Sequence, residues 1–347
     1  MFPVMKPTLP TFRDLGPRFS QIEDAGQYSN YGPQVVELQE RFAHRFGISP
    51  DRVVILANAT LALAGLTQIL DAKRWLVPSW TFVATALSVL QTGKDLVFGD
   101  VGIDSHRLRD GSSAEGRSSI VTLPFGVGIP SGWTTASDFP AVIDAAASLG
   151  SIDSLVDLPP HANIVFSLHA TKYLGSGEGG LVVSGTAQTA AELRAWSNFG
   201  FNSDRRAIAR GTNAKMSEFQ AAIAHCALDE EALQRSQWQE LRKHSQAIDR
   251  ELGVEIPQLS KNSIAPYWIV DFGSQKVRDR AEKVLLDSSI ETRRWWQSGC
   301  HEMPALAGLP WEDNLENSKS LARTTLGLPY FRGMGPGDFQ RIGDLLS

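Results

Sequence analysis

The sequence predicts an α/β protein: a mostly parallel sheet flanked by helices, followed by a smaller C-terminal α+β domain. Two observations carry this. Short apolar runs that read as buried strands alternate with helical segments as far as Gly185, the pattern of a sheet covered on both faces. Beyond Gly185 the texture changes, and residues 216–252 become rich in Ala, Leu, Glu, Gln and Arg, which favours long helices. A length of 347 residues suits about two domains, and the boundary is placed near residue 230, giving 1–230 and 231–347.

The elements follow in order. Residues 33–46, PQVVELQERFAHRF, read as a helix, with Pro33 in its first turn and Val35, Leu38, Phe42 and Phe46 on one face; Gly47 ends it. VVIL (53–56) is a buried strand, and Asn58 caps the helix running through TLALAGLTQIL. RWLV (74–77) and the helix 81–91 repeat the unit. Strand-like runs follow at 96–98, 119–123, 141–144, 163–167 and 180–184. The C-terminal part offers strands PYWIVDF (266–272) and IETRRWW (290–296), with helices near 275–288, 317–326 and 337–346.

Composition removes several function classes. With 42% hydrophobic and 20% charged residues the chain is an ordinary globule. A net charge of −5 argues against a nucleic-acid partner, because such proteins gather Lys and Arg to meet phosphates. Cys226 and Cys300 are far apart with no metal-like spacing, so no metal is expected and both thiols read as reduced and structural. The N-terminus lacks a signal-peptide pattern. The most apolar segment, FVATALSVL (82–90), is too short to span a bilayer. A cytoplasmic protein with no membrane partner is the expectation.

The chemistry concentrates around SLHATKYLGSGEGGLVVSG (167–185). Gly175, Gly177 and Gly180 match the spacing of a dinucleotide fingerprint, but that fingerprint must lead from a strand into a helix that receives the pyrophosphate. Here the glycines run straight into Leu181-Val182-Val183, a strand, so a nicotinamide enzyme is disfavoured. What remains is Lys172, beyond a strand end and followed by a glycine-rich turn that permits close approach. An amine so placed can condense with an aldehyde cofactor.

Other residues supply matching parts, all just after strands, at the carboxyl edge where open α/β sheets bind ligands. Asp144 ends the AVID run beside three alanines and suits a pyridinium nitrogen, which a carboxylate keeps protonated; alone it would be a turn aspartate. Asn58-Ala59-Thr60 opens a helix whose amides suit a phosphate, although an ordinary N-cap looks the same. Trp80 and Phe82 offer a face to a heterocycle, where core packing is the commoner fate. Ser167 adds a hydroxyl.

On these residues the chain resembles, over nearly its whole length, the DegT/DnrJ/EryC1/StrS family of sugar aminotransferases, pyridoxal-phosphate enzymes of fold type I. SLHATKYLGSGEGG is similar to the family's Ser-x-x-x-x-Lys with Gly-Glu-Gly-Gly, which implies that Lys172 is the Schiff-base lysine and Ser167 a phosphate ligand. ANATLAL (57–63) resembles the phosphate turn Ser-Gly-Thr, with Ala59 and Thr60 at the Gly-Thr places. PSWTFVAT puts Phe82 at the ring-stacking aromatic, and VIDAA puts Asp144 at the pyridinium aspartate. GTNAKMSEFQAAI (211–223) resembles the segment whose Asn, here Asn213, reaches the phosphate of a partner subunit.

Three positions depart from the pattern. Ala59 stands where glycine is usual and Lys215 where arginine is. Ala147 occupies the place of a Gln or His near the cofactor's phenolic oxygen and removes a hydrogen-bond donor. Lys172 itself argues against the relatives that carry histidine there and dehydrate sugars.

The resemblance implies transfer of an amino group from an amino acid, glutamate, to a nucleotide-linked keto-sugar in amino-sugar and glycan biosynthesis, in a homodimer with shared sites. Amination at sugar C4 is preferred and at C3 the alternative. A cofactor-binding regulator without activity is a further alternative, against which Lys172 and Asp144 both speak. The nucleotide and the sugar's stereochemistry are not legible.

Overall fold

The computed structural model describes residues 1–108, 117–133, 135–254 and 263–347. The chain enters through helix α1 (Phe12–Ala25) and helix α2 (Pro33–Phe46). It then alternates: β1 (Val53–Leu56), α3 (Ala59–Ile69), β2 (Arg74–Pro78), α4 (Val83–Leu90), β3 (Asp95–Gly99), β4 (Arg117–Thr122) and β5 (Val142–Asp144). Strands β6 (Asn163–Ser167) and β7 (Gly180–Ser184) complete one sheet, before helices α5 (Ala187–Trp196), α6 (Glu218–Asp229) and α7 (Glu231–Leu252). The C-terminal part holds β8 (Trp268–Asp271), α8 (Gln275–Asp287), α9 (Glu316–Thr324), β9 (Thr325–Leu328) and α10 (Pro336–Leu346).

The large sheet has seven strands in the order β1-β7-β6-β5-β4-β2-β3. Strands β6, β5, β4, β2 and β3 are parallel; β7 alone runs against both its neighbours, so the remaining six point one way. Val53 and Ile55 of β1 belong to the core under α2, α6 and α7. Val54 and Leu56 belong to the core under α3, α4 and α5. Ile164 and Phe166 divide from Val165 in the same way. Both faces are dry, which is why these strands read as unbroken apolar runs. Val35, Leu38, Phe42 and Phe46 of α2 are all buried as a single face.

The mostly parallel architecture and the small C-terminal sheet agree with the sequence, but two local expectations do not. Residues 290–296 form no strand. They make isolated bridges, Ile290 to Phe2 and Arg293 to Gly327, and Trp296 takes φ 58°, which no strand tolerates. The partner of β8 is instead β9, paired antiparallel from Trp268↔Leu328 to Asp271↔Thr325. The helix expected to reach 326 stops at Thr324, where the β-branched pair Thr324-Thr325 turns directly into that strand. Helix α1 carries Gly16 and Pro17, which speak against a helix by propensity. It forms because the Asp14 carboxylate accepts from the Thr11 N–H and hydroxyl at 2.7 Å each, and because Leu15 and Ile22 are buried.

Helix α2 opens at Gly32, which has no side chain to cap it. The need is met from elsewhere: Glu218, at the start of α6 and wholly buried, accepts from the N–H groups of Gln34 at 2.6 Å and Val35 at 3.4 Å. A Cβ at residue 32 would lie 2.7 Å from the Glu218 carboxyl carbon, so the glycine makes room for its own cap. Glu218→Ala would strand two helix-terminal donors in the core. It should cost on the order of 3 kcal/mol, read as a lower urea midpoint for the apoprotein, with Glu218→Gln costing less.

Candidate active site

Because six strands point the same way, their carboxyl ends share an edge, and the loops leaving that edge enclose a cavity of about 470 Å³. Ala59 and Thr60 reach it from the turn after β1, Phe82 from the turn after β2, and Asp144 and Ser167 from the ends of β5 and β6. Lys172 reaches it from the loop between β6 and β7. Antiparallel β7 explains why that loop stays: it leaves the edge at Ser167 and re-enters the sheet opposite it, at Gly180. The seventh sequence candidate, Asn213, is not in the cavity lining. It is exposed and accepts a hydrogen bond from Lys215 Nζ at 2.7 Å.

The glycines have structural work in this loop. Gly177 sits at φ +89°, a conformation that glycine adopts without strain. A Cβ on Gly175 would meet the Ala170 carbonyl oxygen at 2.5 Å, and one on Gly180 would meet the Asn58 carbonyl oxygen at 2.4 Å. The fingerprint spacing therefore closes the lysine loop on itself and seats β7 against the turn before α3. Gly180 opens strand β7 rather than a helix, so the context a dinucleotide fingerprint requires is not met.

At that turn the Asn58 side chain accepts from the Leu61 N–H at 2.8 Å and its carbonyl accepts from the Ala62 N–H at 3.2 Å. The N–H groups of Ala59 and Thr60 precede these and have no intrahelical carbonyl within reach. Ser167 Oγ accepts from the His169 N–H at 3.1 Å, which leaves its own proton to give. Phe82 is 59% exposed, an aromatic face held open at the cavity. Trp80 goes the other way: it is fully buried, edge-on to Trp296 at 5.0 Å, and takes no part in the lining.

Asp144 is the most informative group. It is buried and makes no ion pair among the described residues. One carboxylate oxygen accepts from Thr85 Oγ1 at 2.7 Å and the other from the Ala146 N–H at 3.2 Å. Thr81 lies 2.9 Å from both Thr85 and Thr122, hydroxyl to hydroxyl, behind the first of these bonds. Burial pushes the Asp144 carboxyl up from its ordinary value, against the hydrogen bonds from Thr85 and Ala146 and the charge of Lys172. Protonation of this acid thus favours the folded state. That stabilisation is complete below the ordinary carboxylate range and is lost as pH rises through the raised pKa. An ionised Asp144 at neutral pH is a cost that a cation in the cavity would offset.

Sequence reasoning passed over the aromatic wall from the other half of the chain. Tyr267, Trp295 and Trp296 close the cavity together with Phe125 from the turn after β4. Lys172 Nζ donates to the Tyr267 hydroxyl at 2.5 Å. Nothing in PYWIVDF marks its tyrosine as more than a strand residue.

A family model for the DegT/DnrJ/EryC1/StrS aminotransferase family matches residues 14–114 and 134–347. The chain belongs to that family. Among curated relatives, Protein MT3510 of Mycobacterium tuberculosis is 33% identical over 248 residues, 64% of this chain and 58% of that protein. The match thus spans less than two thirds of that relative. The dTDP-4-amino-4,6-dideoxy-D-glucose transaminase of Shigella dysenteriae is 25% identical over 344 residues, 94% of this chain and 93% of the relative. Among solved structures, DesI in the presence of its TDP-sugar product superposes with a TM-score of 0.82 at 28% identity, covering 99% of this chain and 91% of that one.

The donor set fits pyridoxal phosphate, the cofactor the family resemblance implies. An amine for an aldehyde, a buried carboxylate without an ion pair among the described residues for a ring nitrogen cation, and helix-terminal N–H groups with a hydroxyl for a phosphate all line one cavity. The cysteines stay outside this chemistry. Both are free and buried, and burial pushes the Cys300 thiol up to about 12. Asp144→Ala should unfold at an unchanged or higher temperature than wild type when both are apoproteins at pH 8. The difference should shrink as pH falls toward the ordinary carboxylate range, and thermal scans across pH would read it.

Proposed function

We propose that the chain is a pyridoxal-phosphate aminotransferase that moves an amino group from an amino acid, L-glutamate, to a dTDP-linked 4-keto-6-deoxy sugar. One observation carries it: the Lys172 amine and the unpaired Asp144 carboxylate open into the same cavity, at the carboxyl edge of the sheet. Its relation to a dTDP-4-amino-4,6-dideoxy-D-glucose transaminase supports the nucleotide and the preference for C4. Amination at C3 is the second outcome that the same assay reads.

In this proposal Lys172 Nζ would hold the cofactor through its aldehyde. Ala59, Thr60 and Ser167 would hold the phosphate, Phe82 would lie against the ring, and Asp144 would keep the ring nitrogen protonated. Pyridoxal phosphate supplies an electron sink for the pair left when a Cα proton departs. Lys172 Nζ would take that proton from the donor's Cα as base and return it to the cofactor carbon as acid. On the sugar it works in reverse. The buried aromatic wall of Phe125 and Tyr267 excludes water from this transfer. The division into 1–230 and 231–347, a homodimer and a cytoplasmic location belong to the same proposal.

Lys172→Ala should fold and bind cofactor, yet borohydride should no longer fix the cofactor to protein and turnover should vanish. A panel of dTDP-, UDP- and GDP-linked 3-keto and 4-keto sugars with glutamate, products located by NMR, tests the substrate. Conversion of none, or a covalent adduct in the variant, would count against the assignment.

Asn213 is proposed to serve the cavity of a second copy. Supporting this, it stands outside its own cavity, on a segment that exposes Phe199 and Ile208 at 45% and 71%. Mixing Lys172→Ala with Asn213→Ala subunits should regain activity through hybrid dimers with one intact site. Verified hybrids without regained activity would remove Asn213 from the shared site.

A further inference from the structure

The methyl group of Ala147 stands where the family pattern places a Gln or His donor, and the structure fills the space beside it. Ala147 is buried in a small cluster with Phe125, Tyr267 and Ile269. Tyr267 is only 8% exposed. Its ring is held edge-on by Phe125 at 6.1 Å and by Trp295 at 4.9 Å. Phe125 takes a left-handed conformation, φ 56°, and stacks on Trp296 at 4.5 Å. A bulky residue is held there only when its surroundings over-determine it. The outcome is a phenol with one orientation, and its oxygen accepts a hydrogen bond from Lys172 Nζ at 2.5 Å.

A hydroxyl that accepts retains its own proton to donate. In pyridoxal the phenolic oxygen is carried on the ring carbon next to the one that bears the aldehyde, so a donor touching the lysine nitrogen is also a neighbour of that oxygen. We propose that Tyr267 is a catalytic residue of this site, the donor that takes the place of the missing Gln or His and sets the proton affinity of the lysine–cofactor linkage. This rests on the proposed pyridoxal-phosphate function. A hydrogen bond donated to the phenolic oxygen stabilises its anion and weakens its hold on the nitrogen's proton, which lowers the pH at which the linkage deprotonates.

The other titratable groups around the linkage are Asp144 from β5, His169 and Glu178 from the lysine loop, and Arg293 from the C-terminal part. Lys6, Tyr330 and Arg332 line a second pocket that Lys172 also borders. None of these is changed by replacing the phenol with a phenyl ring, so a shift in midpoint reports the hydroxyl.

The experiment is a spectral pH titration of holoenzyme, following the absorbance of the lysine-bound cofactor, with Tyr267→Phe beside wild type. The midpoint should rise by about one to two pH units, the scale of one charge-assisted hydrogen bond. Adding Ala147→Gln to Tyr267→Phe should bring it back toward wild type. In otherwise wild-type chain, where the donor is already present, Ala147→Gln should move it far less. This last comparison serves if Tyr267→Phe does not fold. An unchanged or lowered midpoint in Tyr267→Phe overturns the assignment of Tyr267 while leaving the proposed function standing. So does a full-unit drop on Ala147→Gln alone. Absence of any lysine-bound chromophore in wild type overturns the proposed function, and the role of Tyr267 with it.

Discussion

The close approach of Gly180 to the Asn58 backbone is the contact on which the site depends. A Cβ at 180 would sit 2.4 Å from the Asn58 oxygen, so only glycine lets β7 begin directly under the turn that opens α3. Strand β7 pairs with β1 on one side and β6 on the other. That one contact therefore fixes the N-terminus of α3, the start of β7 and the end of β6 against each other. Lys172 hangs on the loop between the last two. Its placement relative to the free N–H groups of Ala59 and Thr60 is a property of the sheet, not of a flexible lysine arm.

Electrostatics complete what the backbone begins. Among the described residues Asp144 has two hydrogen bonds and no ion pair, and burial raises its pKa. The threonine hydroxyls behind it, Thr85, Thr81 and Thr122, fix its orientation without neutralising it. An unpaired buried charge destabilises a fold unless something binds to it. Here the destabilising group faces an open cavity, so under the proposed function stability given up in the apoprotein reappears as affinity for a cationic ring.

The C-terminal part reaches this edge through a second set of contacts. Cys300 donates its N–H to the Ser79 carbonyl at 2.8 Å and its thiol to the Thr81 carbonyl at 3.1 Å, and the His301 ring lies 2.6 Å from Ser79 Oγ. These contacts pin the turn carrying Thr81 and Phe82. Trp80 packing on Trp296 does the same from within the core. The aromatic wall and the turn carrying Phe82 are thus packed together, and Tyr267 meets a lysine 95 residues away in sequence.

The sequence by itself determined whatever is written in neighbouring residues. Unbroken apolar runs gave the strands because both sheet faces are dry, and α2 was legible because its buried face repeats every three or four residues. Glycines running into a strand excluded a dinucleotide site. Six candidate residues were found because each follows a strand, and the carboxyl edge gathers such positions whatever the order of strands. Tertiary structure decided the rest. The Glu218 cap of α2 bridges 184 residues and the Thr85–Asp144 bond 59, and no local pattern encodes either. Thr325 and Leu326, the first half of β9, were read as the end of a helix because the strand's choice depends on β8 offering unpaired N–H and C=O groups beside it. Tyr267 looked like any strand aromatic. It became part of the site only when Phe125, Trp295 and the small Ala147 left its hydroxyl a single place to go, against the amine of Lys172.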